Sequence, residues 1–204
     1  MSIPAPFERY EGEVLREWID ANDHMNLAYY TVLFDYATDA LFDAIGIGRQ
    51  YKDSTGNGTF VVETHNLYER ELVLGDRVRV STQILGVDGK RLHLAHEMFM
   101  VANGWRAATQ ELMYLHVDLR ARRVVPFPDG VRERVAAAAA SHAHLPRPDW
   151  VGRHIAMPGE SAPHPDPLPP PFPPPQAGEG QGGGRRGEGV HSFPRPARAG
   201  RGLG

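Results

Sequence analysis

The residues with chemistry to offer gather early in the chain. Asp20, Ala21-Asn22-Asp23, His24, Met25 and Asn26 form a short polar loop, and Tyr30 follows four residues after Asn26. A carboxylate can act as a general base or as a nucleophile. Amides at the start of a helix carry the positive end of its dipole and favour negative charge developing beside them. From the residues alone, Asp20 is either a reacting carboxylate or a capping or solvated loop residue. Asp23 either competes with Asp20 as the reacting carboxylate or caps the helix, and capping is the favoured reading. His24 either binds a ligand or holds the loop by bonding to backbone. Asn26 reads as an N-cap that could also shape an oxyanion site. Tyr30 either lines a pocket or packs in the core with its hydroxyl satisfied.

Other groups are weaker candidates. Glu63 and His65 lie two apart on a predicted strand and so share a face. His93 and His96 are three apart on a strand, which puts them on opposite faces and argues against a metal pair. Asp35, Asp39 and Asp43 recur every four residues along a predicted helix and read as a solvated or interface-facing edge. Cysteine is absent, which excludes disulfides, thiolate metal sites and a cysteine nucleophile. No metal and no cofactor is expected.

The elements that must position these residues follow from periodicity. Residues 7 to 19 read as an extended segment. From Leu27, apolar residues recur every three or four positions through Tyr30, Leu33, Phe34, Ala37, Leu41, Ala44 and Ile45, a helical period. Asn26 can cap this helix, and Gly46 and Gly48 can stop it. It is apolar around most of its circumference, so something must wrap it. Strands are expected over residues 59–70, 77–87, 90–102 and 105–119, with type I′ hairpin chemistry at Asp88-Gly89 and Asn103-Gly104. A second helix is expected from Asp129 to Ala143. The predicted class is α+β, a long central helix wrapped by an antiparallel sheet.

The chain has 204 residues, and its composition changes at Pro158. Residues 158–204 hold 12 of the 18 prolines and 11 of the 22 glycines, too little apolar surface to offset the entropy of ordering. We expect one folded domain over residues 1–157 and a disordered, dispensable tail over 158–204. The tail resembles translated intergenic repeat DNA, as read-through past a stop would produce. A net charge of −3 gives no reason to expect a nucleic-acid partner. No run approaches the roughly 20 apolar residues that span a bilayer. A cytoplasmic protein is expected.

Element order and loop residues together resemble the hotdog-fold acyl-CoA thioesterases of the hydroxybenzoyl-CoA thioesterase type. The pattern is Asp20, three residues, His24, Met25 and Asn26 just ahead of the helix, followed by the run LVLGDRVRV. The segments WIDANDHMNLAYYTVLFDYATDAL, VETHNLYERELVLGDRVRV, QILGVDGKRLHLAHEM and HLPRPDWVGRHIAMP are similar to betainyl-CoA thioesterases of carnitine breakdown. The resemblance spans about residues 8 to 155. It implies hydrolysis of a small acyl-CoA, with Asp20 as the catalytic carboxylate and the amides of the helix start as oxyanion donors. It places the Glu63 strand beside a neighbouring subunit's active site, which makes Glu63 the second candidate for the catalytic carboxylate. It also implies that His24, Asn26, Tyr30 and Trp18 contact substrate, and that basic residues such as Lys90, Arg91 and Arg70 meet the CoA phosphates. A homodimer or a dimer of dimers is expected, because one sheet would leave an edge or a face open. The alternatives are a non-catalytic acyl-CoA-binding or dehydrogenase-associated module, which would not need Asp20, and a dehydratase, whose usual histidine pattern is missing.

Overall fold

The computed structural model describes residues 3–157, and the Pro/Gly-rich tail lies outside the described residues. Strand β1 (Phe7–Glu13) leads through a 3-10 turn (Arg16–Trp18) to helix α1 (Leu27–Ile45). A short helix α2 (Arg49–Thr55), not foreseen from the sequence, precedes β2 (Asn57–Tyr68). The remaining elements are β3 (Arg77–Val87), β4 (Arg91–Met100), β5 (Arg106–Asp118), the two-residue β6 (Arg123–Val124) and α3 (Asp129–His142). The strands form one antiparallel sheet in the order β1-β3-β4-β5-β2, with β6 added to β5. No helix of the described residues is long and apolar enough to cross a membrane.

Helix α1 ends where its glycines require. Gly46 sits in the left-handed region at φ 74°, which costs glycine little. The Arg134 guanidinium donates to the Ile45 and Gly46 carbonyls, supplying positive charge at the helix C-terminus. At Gly48, any Cβ would collide with the Asp43 carboxylate, so the chain turns there and starts α2.

Of the two expected type I′ turns, neither forms. That turn needs positive φ at both central residues. Neither Asp88 nor Gly89 has it, and at the second turn only Gly104 does, at φ 74°. At the first, the Asp88 carboxylate accepts from the Lys90 and Arg91 amides and makes the turn itself.

The sheet bends around α1 through register shifts in each strand pair of the main path, each of which adds local twist. The shift between Val61 and Glu63 also decides which side chains face the helix. Beyond it, Thr64, Asn66 and Tyr68 pair with Leu112, Gln110 and Ala108, on the helix side. Glu63, His65 and Leu67 pair with Met113, Glu111 and Thr109, on the outer side.

Two apolar clusters bury α1. Its first half packs Tyr30, Leu33, Phe34 and Ala37 against Val78, Val80, Met98 and Ala108. Its second half packs Leu41, Phe42 and Ile45 against Leu94, Leu112 and Tyr114 and against Val131 and Val135 of α3. Thr82 and His96 stand between them in register. The Thr38 hydroxyl donates to the Phe34 carbonyl at 3.1 Å, so it can only accept from His96 Nε2 at 2.9 Å. His96 Nδ1 then accepts from the Thr82 hydroxyl at 2.8 Å. His93 lies on the other face, as the spacing of three requires, and meets Glu111 at 2.7 Å.

This arrangement suits a neutral imidazole alone. Burial pushes the His96 pKa down to about 3, whereas an unfolded histidine titrates near 6.5. Stability from this residue is therefore full above pH ~6.5 and is lost as pH falls towards 3, because only the unfolded chain takes up the proton. At about 1.4 kcal/mol per pH unit, the unmodified chain should lose about 2 kcal/mol more urea-unfolding stability between pH 7 and 5 than His96→Gln. The glutamine can bond to the same threonines without titrating. Equal losses in both proteins would contradict this.

Candidate active site

The loop before α1 is a tight hairpin. The Asn26 amide donates to the Trp18 carbonyl at 2.9 Å, Ile19 and Met25 form an isolated bridge, and the Asp20 amide donates to the His24 carbonyl at 3.0 Å. Asp23 makes the reversal, at φ 61°. It does not cap the helix, as expected from the sequence. That role belongs to Asn26, whose Oδ1 accepts from the Ala28 amide at 3.0 Å. The Asn26 carbonyl accepts from the Tyr29 amide, and the Leu27 amide has no partner among the described residues.

Within the loop, Asp20 Oδ1 accepts from the Asn22 amide at 2.8 Å. This fixes the carboxylate and leaves Oδ2 without a partner among the described residues. His24 Nδ1 stands 4.0 Å from Asp20 Oδ1, too far for a hydrogen bond. It approaches the Met25 carbonyl at 3.4 Å instead.

The opposite wall is the connection from β2 to β3. Because β2 and β3 are not neighbours, residues 69–76 must cross one end of the sheet, and they do so beside the start of α1. The Met25 amide donates to the Leu72 carbonyl at 2.7 Å. The Tyr30 hydroxyl accepts from the Leu72 amide at 3.1 Å and donates to the Arg70 carbonyl at 3.3 Å. Burial raises the Tyr30 pKa, so the hydroxyl keeps its proton for that bond.

Between the walls lies a cleft of about 380 Å³. Asp20, His24 and Tyr30 line it, as does Leu27. Tyr68, Glu69, Arg70 and Glu71 form the far side. Of these, Arg70 was foreseen as a cation for CoA. Tyr68, Glu69 and Glu71 were not, since only the crossover brings them to the loop. Tyr68 meets Tyr30 edge-to-face, with ring centroids 5.2 Å apart. Arg106 donates to Glu69 through Nε at 3.0 Å and Nη2 at 2.7 Å, and through Nη1 to Glu97 as well. The Arg70 guanidinium lies over the Trp105 ring, 5.3 Å from its centroid, within reach of a cation–π contact.

Five expected site residues do not line this cleft within one chain, and one of them, Asn26, has its side chain taken up by the helix cap. Trp18 stacks on Tyr29 at 5.2 Å and packs against the core beneath the loop. Glu63 faces outward, on the side of the sheet away from α1, because of the register shift beside it. Lys90 lies in the β3–β4 turn and Arg91 opens β4, paired with Asp88 at 2.7 Å. Their level on the sheet is that of Leu115 and Phe60. At about 3.3 Å per residue along β2, Phe60 and Tyr68 stand roughly 26 Å apart, so both cations sit at the other end of the strands. Among the described residues, no three His, Asp or Glu side chains converge as metal ligands.

The model of the thioesterase-like superfamily matches residues 14–135. A betainyl-CoA thioesterase of Pseudomonas aeruginosa is 44% identical over 149 residues, covering 73% of this chain and 94% of that protein. An L-carnitine dehydrogenase/betainyl-CoA thioesterase of Rhizobium meliloti is 36% identical over 157 residues, or 77% of this chain and 32% of that longer protein. Among solved structures, a proposed thioesterase of Pseudomonas putida KT2440 is 37% identical with a TM-score of 0.65, covering 76% and 99% of the two chains. The Staphylococcus aureus protein SAV2348, solved in complex with CoA, is 28% identical with a TM-score of 0.69, covering 76% and 98%. A carboxylate loop ahead of a long helix wrapped by an antiparallel sheet thus sits within the span these relatives match, and the chain belongs to the thioesterase-like superfamily, as a thioester hydrolase with the hotdog fold.

Proposed function

We propose that the chain hydrolyses betainyl-CoA to betaine and CoA, with Asp20 as the reacting carboxylate. The observation that carries this reading is that Asp20 and the start of α1 line the same cleft. A thioester carbonyl there meets a carboxylate on carbon and the Leu27 amide, at the positive end of the helix dipole, on oxygen. Asp20 either attacks the carbonyl directly or takes a proton from an attacking water. In both routes one water is consumed. Its hydroxyl ends on the acyl carbon, the carbon–sulfur bond breaks, and the remaining proton ends on the CoA sulfur. His24 and Tyr30 flank the acyl group, Asn26 holds the helix start open, and Arg70 offers the cleft a charge for CoA phosphates.

The same reading makes the active form a homodimer. Strand β2 is an edge of the sheet, and edges invite pairing with another chain. On it, Phe60 and Val61 are 39% and 47% exposed. Light scattering should give twice the chain mass, and a monomer at working concentration would exclude this part.

Asp20→Asn keeps the size and the bond from Asn22 but removes the charge. Turnover of betainyl-CoA should fall at least about a hundredfold, the range for loss of a base or nucleophile, with KM little changed. Glu63→Gln should be near the unmodified enzyme. The reverse result would move the chemistry to the outer face of the sheet.

Substrate identity is tested by an isosteric pair. Betainyl-CoA and 3,3-dimethylbutanoyl-CoA differ only in nitrogen against carbon at the branch point, and so in one positive charge. The unmodified enzyme should prefer betainyl-CoA in kcat/KM by about tenfold or more, one charge contact being worth a kcal/mol or two in a partly solvated site. Equal rates would remove betainyl-CoA and leave the thioesterase reading standing.

A further inference from the structure

We infer that Glu71, with the ring of Tyr68 beside it, is the group that selects a cationic acyl chain over its neutral isostere. The inference rests on the proposal that Asp20 and the Leu27 amide hold the thioester carbonyl. In a betainyl group the nitrogen is two bonds from that carbonyl carbon, about 2.5 Å away at ordinary bond lengths. Whatever recognises the ammonium must therefore line the same cleft, and residues further along α1 such as Asp35 and Asp39 stand too far from the helix start to do so.

A trimethylammonium group donates no conventional hydrogen bond, so a site can hold it only by negative charge and aromatic faces. The cleft offers three carboxylates. Asp20 is committed to the carbonyl. Glu69 is held in an ion pair by Arg106, which it shares with Glu97. Glu71 has no ion pair among the described residues and is exposed to the cleft. Its charge reaches the interior of the cleft: the Tyr30 hydroxyl, already raised in pKa by burial, is raised further by Glu71, Tyr68 and Asp76 against the lowering effect of the Leu72 amide. Arg70, the cation of the cleft, is drawn onto Trp105. Tyr68 presents a ring that is nearly half exposed, pinned by the Asn66 amide at 3.2 Å and by its contact with Tyr30. Aromatic surface and an unneutralised carboxylate thus converge on the one side of the cleft that does not carry the reacting group.

The test compares kcat/KM for betainyl-CoA and 3,3-dimethylbutanoyl-CoA in the unmodified enzyme, in Glu71→Gln and in Glu69→Gln. Glu71→Gln should cut the preference for the cationic substrate about tenfold, the effect of one charge contact in a partly solvated site. The loss should fall mainly on KM for betainyl-CoA, with the neutral substrate unchanged. Unchanged hydrolysis of the neutral substrate also shows that the variant is folded. Glu69→Gln should keep the preference. If the unmodified enzyme prefers the cationic substrate and Glu71→Gln keeps that preference, or loses both activities equally, the assignment of Glu71 is wrong while betainyl-CoA remains the substrate. If the unmodified enzyme shows no preference, the substrate reading and this assignment fall together.

Discussion

Helix α1 carries an apolar face that cannot remain in water, and burying the eight residues from Tyr30 to Ile45 on that face is the constraint from which the rest of the molecule follows. A flat sheet covers only one stripe of a helix. Here the register shifts curl the strands, so that both ends of α1 find apolar partners. Wrapping also sets the strand order. With β2 at one edge and β3 near the other, the chain between them has to cross an end of the sheet. That end is where α1 begins, and the crossing segment becomes a wall of the cleft.

Three hydrogen bonds then join segments far apart in sequence. Met25 reaches the Leu72 carbonyl, and the Tyr30 hydroxyl bridges the Leu72 amide and the Arg70 carbonyl. Tyr30 thus serves in both of the roles its sequence position left open. It is buried with a satisfied hydroxyl, and it also lines the cleft. These bonds hold the two walls before any ligand arrives, so little ordering remains to be done on binding.

The features legible in the sequence are those set by neighbours along the chain. The bounds of α1 follow from period, from Asn26 and from Gly46, and α3 and the long strands fall within a few residues of expectation. Asp20, His24 and Tyr30 are found together because one loop and one helical turn carry them. The placements that differ from expectation within one chain are non-local. Glu63 is turned outward by a bulge that no residue type announces. Lys90 and Arg91 are distant because strand register, not sequence distance, fixes their level. Trp18 is claimed by Tyr29, a pairing that depends on how the loop folds back. The Asx-Gly pairs mark both reversals correctly, yet at Asp88 the carboxylate supplies the turn that positive φ was expected to supply. Tyr68 and Glu71 could be found only by knowing where residues 69–76 cross.

That crossing separates the parts of the site by segment. The carboxylate and the helix amides come from residues 20–27, while Tyr68 and Glu71 come from the end of β2 and the connection after it. On the proposed assignment, substitutions there change which acyl group is accepted without disturbing the loop that carries Asp20. Changes in the length of the connection are another matter. The Leu72 carbonyl and amide must stay opposite Met25 and Tyr30, so an inserted residue there would pull the two walls out of step. Evolution along this lineage is thus free to exchange side chains in the connection but held to a fixed count of residues, and altered acyl preference in relatives should be written in letters of equal number, not in gaps.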